Sequence, residues 1–519
     1  MVKEYYELYT FWMSNLKKMF IKDEQFNHLL KIKYENILKK ELTHNNYYIK
    51  DNVLLVAKII LNDQISRNIY YNQKDLLKRY SNNSLKYIEV NQIIKNIEIF
   101  NPIERSLLLL PYAHTFEYEK LILIINLSKK WLKECKDKED IQIYERFTKA
   151  RCQKILEHYN QPILLNKDFS TYDQDTIDKK IYDKNSIQVT NKIGEILNKD
   201  KIYDLFCTSM KNISIQNKTL TLSLSSGVDS NVLLILLSHY IQKNKVICKL
   251  NCLIVYYKNR ENQFEEIKIA QNICSQLKIP LYCRTIDEIQ RNTLTDRNFY
   301  EKYTKDCKYK CYEQLGQISF LGHHKDDIFE NIINNIKKQI HYNQLNGMEI
   351  LQDYKTIQIA RPMLNLTKED ILNFAHMYDI PYVYDSTPKS SERGRIRDTI
   401  LPVIKEYDIQ LYEGFFKMTE NFNEIYKIYE QIIPPLNKNE ENNYTLINQH
   451  ITFFDYWKKV FSQICNRENI DNISNKSIQH FLVMLNKNIQ KNNQHTKFIL
   501  NPKLSIVYKK TYFEFFTYS

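Results

Sequence analysis

The segment Leu220–Ser230 constrains the fold more than any other stretch of the chain. An apolar β run, Leu220 to Leu224, enters a tight polar turn, Ser225-Ser226-Gly227-Val228-Asp229-Ser230, and an apolar helical run follows from Val232 to Leu237. Strand, small-residue loop and helix start, in that order, bring backbone N–H groups and the positive end of a helix dipole to one point, which makes an anion site. The serine hydroxyls add donors, and Gly227 lets the backbone come close to a ligand. Asp229 is a carboxylate able to hold a magnesium ion that bridges phosphates. A serine-rich turn in any α/β protein has the same outline, so the loop needs support from elsewhere.

Composition supplies some. The chain has 7 glycines in 519 residues, far below the usual ~7%. Glycine should then persist mainly where backbone geometry demands it. Gly227, Gly322 and Gly394 fall in the segments that carry the chemistry, and Gly194, Gly316, Gly347 and Gly414 are expected at turns or helix ends. The net charge of +13 favours a polyanionic partner such as nucleic acid, although a lysine-rich composition also inflates basicity. No window approaches the ~18 uninterrupted apolar residues of a membrane span, and the first residues lack the form of a signal peptide. A cytoplasmic chain with no membrane partner is expected. Ten cysteines in so long a chain do not suggest a disulfide framework.

The length suggests about three domains. Residues 1–165 read as an all-helical module, with apolar-periodic stretches at Asn52–Ile65, Tyr118–Leu132 and Tyr144–Tyr159. Residues 166–186 read as a polar linker. From 187 to 410, short apolar strands alternate with helical patterns: Thr219–Leu224, Lys249–Tyr256, Leu281–Ile286, Ile318–Leu321 and Thr356–Ile359. That alternation predicts a doubly wound parallel sheet. Residues 411–519 read as a small α+β region, a candidate tRNA-binding part, with a β hairpin over Lys497–Tyr508.

A second motif, Gly322-His-His-Lys-Asp-Asp-Ile-Phe-Glu-Asn331, follows the strand Ile318–Leu321 at the ligand edge of such a sheet. Asp327 and Glu330 are three apart and project from one helical face, where paired carboxylates suit an ammonium group or a metal. His323 and His324 suit a phosphate or a base edge. A charged helix start with an acidic N-cap is the plainer reading, but its position in the same α/β segment as the first loop argues against it.

These residues carry a family resemblance. Ser225–Ser230 resembles the SGGxDS loop of the PP-loop ATP pyrophosphatases, which cleave ATP to AMP and pyrophosphate. With Gly322–Asn331, the stretch 215–410 resembles the tRNA(Ile)-lysidine synthase family and its GHHxDDxxE segment. Ala360-Arg-Pro-Met-Leu364 is similar to that family's ARPLL, Tyr384-Asp-Ser-Thr387 to its D-E-S-N turn, and Arg393-Gly-Arg-Ile-Arg397 with Ile400-Leu-Pro402 to its RNxIR and LP segments. The resemblance implies an adenine nucleotide alpha hydrolase-like fold and a two-step ligation. ATP, with magnesium, adenylates the wobble cytidine of an isoleucine tRNA, and free lysine then displaces AMP to leave lysidine. Ser225, Ser226, Gly227, Val228, Asp229 and Ser230 would bind the nucleotide, with His323, His324 and Arg397, and Asp229 would hold the metal. Asp229, Asp327, Glu330 and Arg361 would be catalytic, Asp327 and Glu330 holding the lysine ammonium. Arg361 and Arg397 would neutralise phosphate or orient the adenylated base.

The chain departs from the pattern in places. Ser226 stands where the family has its first glycine, and its Cβ restricts positive φ and would crowd the phosphate cradle. Gly394 replaces an asparagine, and Lys305-Asp-Cys-Lys-Tyr309 stands for an R-x-x-R-Y helix. Two other readings stay open. One is a different PP-loop tRNA modification such as thiolation, for which Cys248/Cys252 and Cys307/Cys311 are the nearest metal-site candidates. The other is an inactive tRNA- or protein-binding module.

Ahead of that region, Phe11-Trp12, Leu61-Asn-Asp-Gln-Ile-Ser-Arg-Asn68 and Leu110-Pro-Tyr-Ala-His-Thr-Phe-Glu117 resemble segments of domain-of-unknown-function family 924, an all-helical, tetratricopeptide-like group. Asp63, Arg67, Asn68, His114 and Glu117 form either a small site or a helix-capping polar network. The capping reading is adopted, with the module expected to position tRNA or a protein partner.

Overall fold

The computed structural model describes residues 2–16, 23–165, 200–257, 263–290, 296–338, 345, 347–383, 392–432, 436–439, 443–447, 453–468, 470–490, 495–509 and 512–517. The linker expected at 166–186, the turn Tyr384–Thr387 and Gly194 lie outside the described residues. The chain divides into two compact units, Met1–Asp327 with Met348–Pro388, and Ile328–Gly347 with Lys389–Ser519.

The first unit opens with helices through His158. Their ends follow the local sequence. Asn101 and Glu104 form a reciprocal capping box with Pro102 in the first turn, and Asp23, Asp51 and Asp137 cap three other helices. Apolar residues spaced along these helices close a core that includes Leu8, Trp12, Leu55, Ile59, Leu108 and Trp131. The periodic stretch Asn52–Ile65 is an α-helix only to Ile60; Leu61–Ile65 forms a wider π turn, all of it buried.

The sheet comprises β1 (Ile163–Leu164), β2 (Thr219–Leu224), β3 (Lys249–Tyr257), β4 (Leu281–Ile286), β5 (Ile318–Phe320), β6 (Leu351–Tyr354) and β7 (Ile357–Ala360). Its strand order is β1-β4-β3-β2-β5-β7-β6. The five inner strands run parallel. Leu220, Thr221, Leu222 and Leu224 of the central β2 are buried, as expected of a strand covered on both faces. The sheet departs from the all-parallel expectation at its edges, where β1 and β6 pair antiparallel. The helical reading to residue 165 is corrected as well: Ile163 pairs with Cys283, so the end of that stretch joins the sheet.

The helical part is packed onto the α/β part by a shared core. Leu121, Ile125, Cys152, Ile155 and Leu156 meet Ile286, Ile289, Tyr303 and Cys307. Inside it lies a polar network. Arg284, 5% exposed, donates to Glu288 Oε1 at 2.6 Å and to Asn160 Oδ1 at 2.9 Å. Tyr303 donates to Glu288 at 2.7 Å, and Asn160 donates to the Cys307 carbonyl at 3.1 Å. Burial would depress the Arg284 guanidinium, but the adjoining Glu288 carboxylate holds it above its ordinary value.

The second unit contains the helix Ile409–Ile432, two helices (Phe454–Glu468 and Asn475–Gln490), and a five-stranded antiparallel sheet. In chain order the strands are β8 (Asn437–Lys438), β9 (Tyr444–Ile447), β10 (Thr496–Asn501), β11 (Leu504–Lys509) and β12 (Tyr512–Thr517). The expected hairpin is β10–β11. Trp457, Phe461, Phe481, Phe513 and Phe515 form much of its core. Gly414, expected at a turn or helix end, instead sits inside Ile409–Ile432, where an added Cβ meets nothing within 4 Å.

Candidate active site

The order in which the chain adds parallel strands reverses between β2 and β5: β3 and β4 lie to one side of β2, and β5 and β7 to the other. Loops leaving the carboxyl ends of two such strands diverge and leave a crevice. Here those loops are Ser225–Ser230 and Leu321–His324. They approach so closely that a Cβ on Gly322 would lie 3.0–3.1 Å from the backbone of Asp229 and Ser230. No flexible side-chain end is available to yield. Gly322→Ala should therefore cost about 1–3 kcal/mol through overpacking and weaken nucleotide binding together with stability. Chemical denaturation and a nucleotide titration check this.

The first loop is held by its own hydroxyls. Ser230 Oγ accepts from the Ser225 N–H at 3.2 Å and donates to the Gly227 carbonyl at 3.0 Å. Ser225 is exposed, and Gly227 and Asp229 are half-buried. Val228 is 5% exposed and begins the helix Val228–Lys243, for which Gly227 is the N-cap. The left-handed position in the loop is Ser226, with φ of 55°, and not Gly227, whose φ of −72° suits any residue. Ser226 is fully buried and its hydroxyl donates to the Glu266 carbonyl. Its side chain is thus committed to the helix Gln263–Leu277. The left-handed backbone costs about 1–2 kcal/mol for a residue with a Cβ. Asn231 secures the loop from behind, donating to the Pro381 carbonyl at 2.7 Å.

Asp229 projects from the first turn of this helix. Lys368 Nζ donates to both its oxygens, at 2.7 and 2.8 Å. Lys368 opens the helix Lys368–Met377, which Thr367 and Asp370 cap reciprocally. His324, 2% exposed, places Nε2 3.6 Å from Asp229 and 3.5 Å from Asp327. Asp327, 7% exposed, also accepts the His324 backbone N–H at 3.0 Å. His324 Nδ1 is buried and makes no hydrogen bond among the described residues.

Arg361 follows β7 and is 6% exposed. It donates to His323 Nδ1 at 3.2 Å, the Glu349 carbonyl at 3.1 Å and Gln352 at 3.1 Å. Burial depresses its guanidinium below the usual value. Because His323 Nδ1 accepts, that imidazole carries its proton on Nε2. Glu330 and Arg397 belong to the second unit. There Glu330 is fully buried, with Arg397 Nε at 2.8 Å and Arg393 Nε at 3.5 Å.

Within the first unit, then, the structure gathers Ser225–Ser230, His323, His324, Asp327 and Arg361, and pairs Glu330 with Arg397 in the second. Sequence reasoning missed Lys368 and Asn231. Lys368 had a local signal only in its capping box, Thr367-Lys-Glu-Asp370, which marks a helix start and nothing about its partner. As for magnesium, no group of three or more His, Cys, Asp or Glu gathers to hold a metal among the described residues. The part-exposed Asp229 fits an ion that arrives on nucleotide phosphates and keeps most of its waters, rather than a protein-built cage. No helix among the described residues is long and apolar enough to cross a membrane.

Two family models match the chain, in separate regions. Residues 191–404 match the family described as PP-loop domain, and residues 8–163 match that described as bacterial protein of unknown function (DUF924). The tRNA(Ile)-lysidine synthase of Chlamydia muridarum is 29% identical over 211 residues, 40% of this chain and 63% of that protein. The tRNA(Ile)-lysidine synthase of Bacillus subtilis is 27% identical over 241 residues, 44% of this chain and 49% of that protein. The chain thus spans less than two thirds of the length of either relative. Among solved structures, the U34-tRNA thiolase NcsA from Methanococcus maripaludis is 16% identical, covers 44% of this chain and 80% of its own, and superposes with a TM-score of 0.38. Residues 191–404 therefore form a PP-loop domain similar to that of the tRNA(Ile)-lysidine synthases, preceded by a helical region similar to the DUF924 family.

Proposed function

We propose that the chain is an ATP-dependent tRNA-modifying ligase that adenylates the wobble cytidine of an isoleucine tRNA and joins lysine to it, forming lysidine. The observation that carries this reading is the Asp229–Lys368 pair at the start of the loop helix, with His324 and Asp327 beside it. When bound, ATP and its magnesium supply the activated phosphoanhydride. The loop and its helix dipole bind the pyrophosphate part. Asp229 would hold the metal, and Lys368, then no longer matched by Asp229 alone, would supply positive charge toward the phosphates. Glu330, buried between arginines, acts through Arg397 by fixing its position. The net charge of +13 favours the tRNA backbone, and the helical region positions tRNA or a protein partner.

The names of the relatives favour lysine over sulfur as the nucleophile source. The cysteine geometry points the same way. Cys252, Cys307 and Cys311 are fully buried, and the amide of Asn160 donates to Cys311 Sγ at 3.6 Å. The test supplies labelled ATP, free lysine and unmodified isoleucine tRNA with a CAU anticodon. AMP release with lysine in the tRNA is expected. AMP without lysine would point to another nucleophile, and neither product, despite tRNA binding, would favour an inactive module.

A further inference from the structure

In the helical region, the polar residues that the sequence sets together answer one another. Asp63, 1% exposed in the π turn Leu61–Ile65, accepts from Arg67 Nε at 3.2 Å and from the Gln64 amide, and His114 Nδ1 lies 2.9 Å from it. Glu117, expected in this cluster, is instead exposed and paired with Lys120 at 2.9 Å, and Asn68 bonds the Gln64 carbonyl. That cluster ties the π turn to the end of the helix Pro102–Ala113. The network behind Ser225–Ser230 likewise anchors a loop, and in doing so aims one of its backbone N–H groups.

Ser226 carries the left-handed backbone of the loop, φ 55°, on a residue with a Cβ. Glycine adopts that conformation freely, whereas a residue with a Cβ disfavours it by about five- to thirtyfold. Three hydrogen bonds hold Ser226 against the preference. Its hydroxyl donates to the Glu266 carbonyl, and its carbonyl accepts from the Val383 N–H at 2.9 Å and from Asn231 Nδ2 at 3.3 Å. The same Asn231 amide donates to the Pro381 carbonyl at 2.7 Å. Its orientation is thereby fixed, because turning it over would set Oδ1 against two carbonyls. The Asn231 backbone N–H bonds the Gly227 carbonyl at 3.2 Å. Asn231 is fully buried, and its Oδ1 has no partner among the described residues, so the position uses the two donors of the side chain and not its acceptor.

In a trans peptide the C=O and the following N–H point in opposite directions, and no described peptide bond is cis. With the Ser226 carbonyl drawn inward by Val383 and Asn231, the Gly227 N–H faces outward. Its acceptor there is Oγ of the exposed Ser225, at a long 3.4 Å. A bond of that length yields to a better acceptor, and a charged phosphate oxygen is one.

We propose, on the reading of Ser225–Ser230 as a pyrophosphate site, that Asn231 is a positioning residue: by holding the Ser226 carbonyl inward it keeps the Gly227 N–H turned toward the pyrophosphate part of the nucleotide, and it offsets the left-handed cost that Ser226 brings. Calorimetric titration of the full chain with inorganic pyrophosphate and magnesium, and with a non-hydrolysable ATP analogue, compares the wild type, Asn231→Leu, Ser226→Gly and the double variant. Leucine keeps the buried volume and removes both donors; Asn231→Ala replaces it should the leucine variant not fold. Asn231→Leu is expected to weaken both ligands about tenfold, the loss of one charge-assisted bond. With glycine at 226 the same change should cost about threefold or less, because the loop then needs no holding. Denaturation midpoints on the same preparations keep folding apart from binding. A lowered midpoint with unchanged pyrophosphate affinity in Asn231→Leu would make the asparagine merely structural and overturn the proposal. So would an equal loss of affinity with serine and with glycine at 226. A wild-type protein that binds neither pyrophosphate nor the analogue would overturn the pyrophosphate reading of the loop, and the role of Asn231 with it.

Discussion

Asp229→Ala should reduce ATP-to-AMP turnover by about three orders of magnitude, the scale of losing a group aimed at developing phosphate charge. The fold should persist, because Asp229 and Lys368 are each more than a quarter exposed and such a pair contributes little to stability. Lys368→Met should lower kcat/KM for ATP by about a hundredfold, again with an unchanged denaturation midpoint. Steady-state AMP release and urea denaturation on the same preparations separate the two effects. Full turnover in Lys368→Met would reduce the lysine to a resting partner of Asp229. Full turnover in Asp229→Ala would remove the basis for the ligase reading.

Glu288→Ala should be the most destabilising single change at the junction of the helical and α/β parts, by about 3–5 kcal/mol. It strands the buried Arg284 guanidinium and takes a partner from Tyr303. Replacing both members, Arg284→Met with Glu288→Leu, should recover much of that loss, because neither charge then stays buried alone. Denaturation followed by helical signal and by a probe in the α/β part should give coincident transitions in the wild type. In Glu288→Ala the helical part should unfold first. Coincident transitions at the wild-type midpoint would show that the apolar contacts around Ile155, Ile286 and Tyr303 suffice by themselves.

How legible the molecule was depended on whether a feature is local. β2 and β4 are found where short apolar runs between helical patterns put them, at Thr219–Leu224 and Leu281–Ile286. The β10–β11 hairpin follows from its own short turn. The edge strands β1 and β6 were not legible, because, unlike the equally short β5 and β7, they are largely exposed and need no buried apolar run to mark them. Ser226 was read as a steric problem at a position needing positive φ. The φ of 55° agrees, but the direction of its hydroxyl, toward Glu266, required the neighbouring helix. Arg361 was expected to neutralise phosphate or orient the adenylated base; that His323, the Glu349 carbonyl and Gln352 are its partners could not be read from the sequence, because they come from other segments of the chain.

By itself the sequence determined the strand-loop-helix at Leu220–Ser230, the helix start after Gly322 and the α/β alternation. Each rests on propensity, capping or burial pattern within a dozen or so residues. Only the tertiary structure decided that β2 lies beside β5, which brings His324 and Asp327 to Asp229. It also decided that Lys368, 139 residues away, closes on Asp229, and that Arg284, Glu288 and Asn160 weld the helical region to the sheet. Those contacts form because burying the sheet's two faces selects one strand order and one docking of the helices. The charges carried along must then find partners there or stay costly to bury.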